Sequence, residues 1–274
     1  MKPCVPLHKS QKQHFATGSR LTIISVLFFL LSSCSTAPNE KIKIEQPQLS
    51  TSEIEQKYLD DQKQRLLLAK NWQIQGILDI DHEEQGRRNR ITITARQGDH
   101  LRLRIYGPFK QVAVDLLVDP LWLQLVKPSE HNVIRVPATP DGMLYLTGYS
   151  LDPRDLTQFL TGTAGPLTSM EMPTGSGMES TTEQGEQLLL NPLSGLTQKR
   201  WVSSTLHNPY SVQYYWPKTV RPPKTPLPQK IAISLPKDEM VLTFILRKWQ
   251  FAKSDSNKKL FKIPEGFSIV EPQI

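Results

Sequence analysis

Few side chains in this sequence have the types and spacing of a catalytic or metal-binding site. The densest acidic group comprises Asp79, Asp81, Glu83 and Glu84. Paired carboxylates can act as general acid and base. This group is followed by Gly86 and by three arginines, Arg87, Arg88 and Arg90. Such an arrangement is typical of the charged tip of a β-hairpin, so we interpret it as solvated surface.

Histidines beyond residue 33 stand alone rather than in pairs. They are His82, His100, His131 and His207. None lies at the spacing of a metal-ligand pair. The sequence also lacks a Gly-x-Ser-x-Gly nucleophile elbow, a phosphate-binding loop and a dinucleotide fingerprint. We therefore predict a protein that is not an enzyme and that needs no metal or cofactor.

Cys34 is the residue best placed for covalent modification. It ends the segment Leu31-Ser32-Ser33-Cys34, after a basic N-terminal region and an apolar run from Leu21 to Leu31. These features are typical of a secretory signal peptide. The ending resembles the lipobox of bacterial lipoproteins, which implies a signal peptide over residues 1–33. It also implies that Cys34 carries a diacylglycerol and an N-acyl chain, commonly palmitate. An ordinary signal peptide with an incidental cysteine is the alternative.

Charge and cysteine content argue against two further classes of function, nucleic-acid binding and thiolate metal binding. The formal charge of +7 becomes +3 without residues 1–33, which hold four basic residues and no acidic ones. With so small a charge and no basic repeat, nucleic-acid binding is not expected. Cys4 and Cys34 are the only cysteines, so the processed chain has no thiol pair for a disulfide or a thiolate metal site.

The chain after Cys34 divides into a tether and a domain. Residues 34–50 are polar and unpatterned, and they are predicted to form a flexible lipidated tether. A helix is predicted from Thr51 to Ala69 with Ser52 as its N-cap. Its expected apolar stripe consists of Ile54, Tyr58, Leu59, Leu66 and Leu67.

From Trp72 the apolar spacing changes to period two, which indicates strands. Turn signals predict antiparallel hairpins at residues 84–86, 97–99, 107–108 and 119–120. A further short strand is predicted at Val133–Val136. Two short helices follow, one from Asp141 to Leu146 and one that begins at Asp152-Pro153 and ends at Gly162.

The remaining chain is predicted to return to strands. Residues 163–187, rich in Gly, Ser, Thr, Met and Glu, are interpreted as a mobile insertion. The expected strands are Leu188–Leu190, Lys199–Leu206, Tyr210–Trp216, Lys230–Leu235 and Met240–Phe251. Five prolines within residues 217–228 argue against a central strand there. The tail, residues 254–274, has no clear pattern, and its order is left open.

These segments amount to ten or eleven strands and two or three helices. They predict a mainly β (α+β) domain over residues 51–253, built on a single curved antiparallel sheet. The sheet forms an incomplete β-barrel covered by helices. A two-sheet sandwich is the competing fold, but helices between the two groups of strands favour the covered half-barrel.

Several segments, in order, resemble the outer-membrane lipoprotein receptor family LolB, which has a LolA/LolB-like fold. They are Asn71–Gly76, Gly98–Phe109, Gly142–Gly148, Leu151–Gly162, Pro228–Ile233 and Leu242–Trp249. The resemblance implies a receptor that accepts triacylated lipoproteins from a LolA-like periplasmic carrier. It would hold their acyl chains in an apolar cavity and insert them into the outer membrane. The receptor is expected to be a monomer, anchored at the periplasmic face of that membrane by its own acyl chains. Ser35, which replaces the aspartate that retains enteric lipoproteins in the inner membrane, agrees with this location.

The resemblance also implies two sets of site residues. Pro108 and Phe109 would form a membrane-insertion loop, although the family usually has Leu followed by a small residue where this chain has Phe109-Lys110. The candidates for the cavity wall are Trp72, Ile74, Leu101, Leu103, Ile105, Val112, Val114, Leu116, Leu123, Leu242, Phe244 and Leu246. An ordinary packed core explains each of these twelve equally well.

Other functions remain open at the level of sequence. A lipid-anchored envelope scaffold or regulatory lipoprotein would need no cavity, whereas a hydrolase would need a nucleophile and base that are absent. Five arginines could meet an acidic carrier or anionic head groups. They are Arg87, Arg88, Arg90, Arg102 and Arg104. A solvated strand face accounts for them equally well.

Overall fold

The structure is a computed structural model that describes residues 50–82, 85–96, 99–171, 177–203, 209–218, 227–251 and 261–273. The predictions for residues 1–49, Glu83, Glu84 and His207 therefore lie outside the described residues, and so does the centre of the proline-rich connection.

The described residues form fourteen strands and three α-helices. The helices are α1 (Thr51–Leu68), α2 (Pro140–Thr147) and α3 (Leu156–Thr161). The first six strands are β1 (Asn71–His82), β2 (Gln85–Arg96), β3 (His100–Tyr106), β4 (Val112–Val118), β5 (Trp122–Lys127) and β6 (Asn132–Pro137). The others are β7 (Leu167–Met170), β8 (Met178–Thr182), β9 (Gln187–Leu190), β10 (Thr197–Val202), β11 (Tyr210–Tyr215), β12 (Lys230–Leu235), β13 (Met240–Phe251) and β14 (Ser268–Val270). Short 3₁₀ turns cover Pro128–Glu130, Pro153–Asp155 and Pro236–Asp238.

All fourteen strands belong to one sheet, in the order β14-β6-β5-β4-β3-β2-β1-β13-β12-β11-β10-β9-β8-β7. Neighbouring strands are antiparallel except β14, which runs parallel to β6. Because β14 and β7 are both edges, the sheet is not closed. The mainly β half-barrel is confirmed and the sandwich is wrong, although the strand count exceeds the predicted ten or eleven.

The helices define an inner and an outer face of the sheet. Met143 of α2 and Phe159 of α3 join the main buried cluster together with Trp72, Leu116 and Ile233 from the strands. The face that carries these strand residues is called the inner face below. The antiparallel pairing predicted between β1 and β5 is confirmed. The first turn was predicted at residues 84–86, but Gln85 and Gly86 already belong to β2 and pair with β1.

Helix α1 differs from its prediction in both its cap and its buried side. The N-cap is Ser50, not Ser52, and it forms a capping box with Glu53. The buried residues are Ile54, Tyr58, Gln62 and Arg65. The predicted stripe is therefore wrong beyond Tyr58, since the structure leaves Leu59, Leu66 and Leu67 exposed. Their place on the buried side is taken by two polar side chains.

The two short helices begin close to their predicted positions. Thr139 caps α2 by accepting a hydrogen bond from the Gly142 N–H at 3.1 Å, one residue before Pro140. Asp152 caps a 3₁₀ turn that leads directly into α3. Gly162 ends α3 with φ of 68°, a left-handed conformation that favours glycine.

The segment 163–187 is not an insertion that stands apart from the fold. It contributes β7 and β8 to the sheet and leads into β9. Met178, Ser180 and Thr182 are buried in alternation along β8. Ser and Thr are typical of loops as well as strands, so this period-two pattern resembled a polar loop.

The described part of the C-terminal tail, residues 261–273, also belongs to the fold. Ile263 and Phe267 pack on the outer face against a cluster of Leu117, Val126 and Val133. Residues 268–270 then pair with β6 as β14. The outer face of β4–β6 is thus covered by the tail, which the sequence pattern did not predict.

Candidate functional site

Eleven of the twelve predicted cavity residues lie on one face of the sheet. Eight of them are buried in the main inner cluster: Trp72, Ile74, Leu101, Leu116, Leu123, Leu242, Phe244 and Leu246. Leu103 and Ile105 are partly exposed and pack against that cluster. Val114 lies opposite Ile105 in the β3–β4 pair. The register of this pair shifts at the next residue, so Val112 lies opposite Tyr106, which faces outward with Arg102 and Arg104. Contact of these residues with lipid stays a prediction, and the place given to Val112 on the inner face is wrong.

Solvent reaches part of this apolar face. Four inner-facing aliphatic residues of β1, β3 and β6 are only partly buried: Ile80, Leu103, Ile105 and Ile134. Leu146 and Tyr149, at the end of α2 and just beyond it, are partly buried against the same cluster. An apolar surface that lies next to a covering helix yet retains solvent access suits the binding of an apolar ligand.

A β-bulge shapes the centre of the sheet. The register of β1 and β13 shifts between Gln75 and Gly76, so Arg247 is an extra residue in β13. Beyond the bulge, the Trp249 ring packs against the Trp72 ring, with the ring centroids 5.5 Å apart. A Cβ at Gly76 would meet the backbone carbonyl of Ile245, so the close approach of these strands requires glycine.

The inner face of β8–β11 carries a polar network. Arg200 of β10 is 1% exposed and donates to the carboxylate of Glu186. It also donates to the Thr163 carbonyl oxygen at 3.2 Å and to Gln158 Oε1 at 3.4 Å. Its guanidinium lies 4.8 Å from the Phe159 ring centroid. This network connects α3 and the following loop to the sheet.

A second buried guanidinium enters from α1. Arg65 is wholly buried and lies 4.9 Å from the Trp216 ring centroid. Within the described residues its nitrogens have no hydrogen-bond partner, and burial lowers its pKa. Burial raises the pKa of Tyr214 to about 12 and also raises that of Asp155. No sequence signal distinguished these groups, because charged side chains at alternating positions normally face solvent.

The predicted loop presents its aromatic residue to solvent. Phe109 is 88% exposed in the turn between β3 and β4. Its N–H donates to Gln111 Oε1 at 3.0 Å, and the Gly107 N–H donates to the Gln111 carbonyl oxygen at 2.9 Å. Lys110 has φ of 64° and donates to the Gly107 carbonyl oxygen. These contacts hold the turn with Phe109 directed away from the core.

The other described histidines and carboxylates do not form a cluster. His100 contacts Asp99 at 2.6 Å, and His131 lies against Phe267. Asp79 lies opposite Arg88 in the β1–β2 hairpin. Among the described residues, no group of three or more His, Cys, Asp or Glu could hold a metal ion. No described helix has both the length and the hydropathy needed to span a bilayer.

Comparison with known proteins identifies the family. The model of the family "Outer membrane lipoprotein LolB" matches residues 70–249. A search of curated proteins finds no match. The matched region includes thirteen of the fourteen strands in whole or in part, together with α2 and α3.

Solved structures share the fold at low sequence identity. A LolA superfamily protein from Nitrosomonas europaea is 13% identical, with a TM-score of 0.52, over 76% of this chain and 97% of that protein. A Vibrio parahaemolyticus domain assigned to outer membrane lipoprotein sorting is 10% identical, with a TM-score of 0.54, over 77% and 99% of the two chains. A DUF1329 family protein from Desulfovibrio piger is 9% identical, also with a TM-score of 0.54, over 77% and 96%.

Proposed function

The chain belongs to the LolB family, and we propose that it accepts acylated lipoproteins from a LolA-like carrier and inserts them into the outer membrane. Family membership supports a non-enzymatic, lipoprotein-binding role of the LolA/LolB type at the outer membrane. The proposal adds the direction of transfer, the surface that holds the cargo and the loop that enters the bilayer.

The observation that carries the proposal is the partly exposed aliphatic inner face around Leu103, Ile105 and Ile134. Each methylene moved from water into an apolar site gains about 0.8 kcal/mol. A long acyl chain left in water would therefore cost on the order of 10 kcal/mol. A carrier of such chains needs an apolar surface that is sheltered yet open to entry, and this region of the sheet has both properties.

Lipidation of Cys34 would keep the domain at the membrane. One acyl chain binds a bilayer only marginally, whereas two or more give stable anchoring. Residues 35–50 would then span up to about 50 Å between the lipid and α1 when extended. This reach would let the Phe109 loop contact the bilayer.

The test of cargo binding uses photo-reactive residues at two inner positions. A probe at Leu103, which is partly exposed, should cross-link acylated lipoprotein delivered by the carrier. A probe at Ile233, which is 1% exposed on the same face, is the matched control and should cross-link only to the chain itself. Cross-links confined to the chain at both positions would support a packed core and the scaffold alternative.

The membrane role of the loop is tested by Phe109→Glu. Since Phe109 is exposed, the variant should fold normally and still take up cargo, but a charge at the tip should prevent insertion. We expect cargo delivery to fall at least tenfold, measured as lipoprotein transferred to acceptor vesicles. Leu121→Glu is the control, since Leu121 is 71% exposed in the turn at the other end of β4. Normal delivery by Phe109→Glu would contradict the assignment.

A further inference from the structure

A basic groove of about 440 Å³ lies on the outer face, beside the Phe109 loop. It is lined by residues of β1, β2, β3 and β13, and by Lys110. Four of the lining residues are basic: Arg90, Lys110, Arg247 and Lys248. No acidic residue lines it, so its lining carries a net positive charge.

The central β-bulge builds this groove. Residues next to each other in a regular strand point to opposite faces, yet Arg247 and Lys248 are both exposed and both line the groove. The extra residue at the bulge re-aims the strand and places the two cations together. Gly76, which the bulge requires, also lines the groove.

The four cations are not neutralised by neighbouring carboxylates. Within the described residues, none of them forms a salt bridge. By contrast, Arg102 and Arg104 of the same face share Asp115, with Arg102 Nε 2.7 Å from Asp115 Oδ1. Converging cations without a counter-ion suit a phosphate group, which accepts several charge-assisted hydrogen bonds.

The position of the groove identifies the source of that phosphate. Lys110 directly follows Phe109, so insertion of the loop would bring the groove to the level of the lipid head groups. We propose that the groove binds the phosphates of anionic phospholipids and orients the protein for delivery. The inference rests on the proposed function for the placement of the loop, but the groove makes a separate, charge-dependent contact.

The test uses the full lipidated protein in vesicles of phosphatidylcholine, with or without phosphatidylglycerol. Exposed Ala113, near the loop, is changed to Cys and labelled with an environment-sensitive dye, because the only other cysteine expected in the processed chain is acylated. Phosphatidylglycerol should shift the dye emission, and added salt should reverse the shift. Arg247→Glu combined with Lys248→Glu should weaken this response about tenfold or more.

Lys63→Glu combined with Lys70→Glu is the matched control. It makes the same charge change at two exposed residues of the α1 region, away from the groove, and should retain the response. Equal responses with and without phosphatidylglycerol would overturn the inference, and so would equal losses in both double variants. A groove variant that keeps the lipid response but loses binding to the carrier would show a protein-binding site instead.

Cross-linking at Leu103 in the same samples separates the two proposals. If cargo cross-links while the lipid response is absent, the proposed function stands and the groove assignment fails. If the lipid response is present without cargo cross-linking, the groove assignment stands and the cargo assignment fails. Thermal unfolding of each variant confirms that a lost response does not arise from misfolding.

Discussion

The two halves of the sheet use the same inner face in different ways. In β1–β6, the inner residues from Trp72 to Val136 that join the main cluster are apolar, and several remain partly exposed. In β8–β11, the inner face holds buried charges, with Arg200 and Glu186 at its centre. One continuous hydrogen-bonded sheet thus combines an apolar surface with a polar one.

This difference suits the two halves to different roles: the apolar half to binding a ligand, and the polar half to stabilising the fold. Dispersion and the hydrophobic effect have no preferred direction, so an aliphatic surface can accept chains of varied length and position. A buried ion pair instead requires a defined geometry. Arg200 contacts Thr163 and Gln158, while Ile54 and Tyr58 of α1 pack on β8 and β9. The second half therefore fixes α1 and α3 on the sheet.

The largest expected effect comes from breaking the buried pair with Glu186→Leu. This change leaves the Arg200 guanidinium in the interior without its carboxylate, which typically costs about 3–5 kcal/mol. We expect the free energy of unfolding, measured by urea denaturation, to fall by about that amount.

Glu179→Leu is the matched control, because Glu179 is exposed on neighbouring β8. We expect that control to change stability by less than about 0.5 kcal/mol. Equal effects of the two variants would mean that the charged network does not stabilise this half, and the contrast between the halves would be lost.

The same contrast explains what the sequence predicted well. In β1–β6, strands such as Leu101–Ile105 alternate aliphatic and charged residues between clear turns, so both their bounds and their inward side could be predicted. Eleven inner residues were found by this rule, and the exposed Phe109 by its position in a turn. The rule failed at Val112, because a register shift in the β3–β4 pair places it opposite Tyr106. Contact with lipid could not be predicted, since a packed core and a binding surface have the same alternation.

The second half was harder because its buried positions are not consistently apolar. Ser180 and Thr182 on β8 gave no hydrophobic period, so the segment was predicted as an insertion. On α1, Gln62 and Arg65 occupy the buried side while Leu66 and Leu67 are exposed, which reverses the rule on which the helix stripe was predicted. The groove depends on the bulge in which Arg247 is the extra residue of β13. A single extra residue in a strand cannot be detected by a search for period two.

A smaller effect on stability should come from Asp155→Asn, which removes a titratable group from the polar network and so changes how stability depends on pH. Asp155 accepts a hydrogen bond from the Tyr210 hydroxyl at 3.2 Å. Burial, the largest influence, raises the Asp155 pKa above its ordinary value of 3.8 in the folded state. Below that ordinary value, Asp155 is protonated in both the folded and the unfolded chain, and its contribution to stability is fully present. The contribution is lost as pH rises through the folded-state pKa, because the charge must then be buried.

Asn resembles the protonated acid, so the variant should unfold at higher urea than the wild type near neutral pH and at the same urea below the ordinary pKa. One interaction opposes this trend. Asp155 immediately precedes α3, and an acidic side chain at a helix start contributes about 0.3–1 kcal/mol when charged. If the interaction with the helix start dominates, the variant will be the less stable protein at neutral pH. Burying the charged Asp155 carboxylate would then cost less free energy than its interaction with α3 contributes. Urea midpoints of both proteins across this pH range show whether the variant is the more stable or the less stable protein at neutral pH. Every other titrating group is present in both proteins, so its contribution cancels when the two midpoints are subtracted.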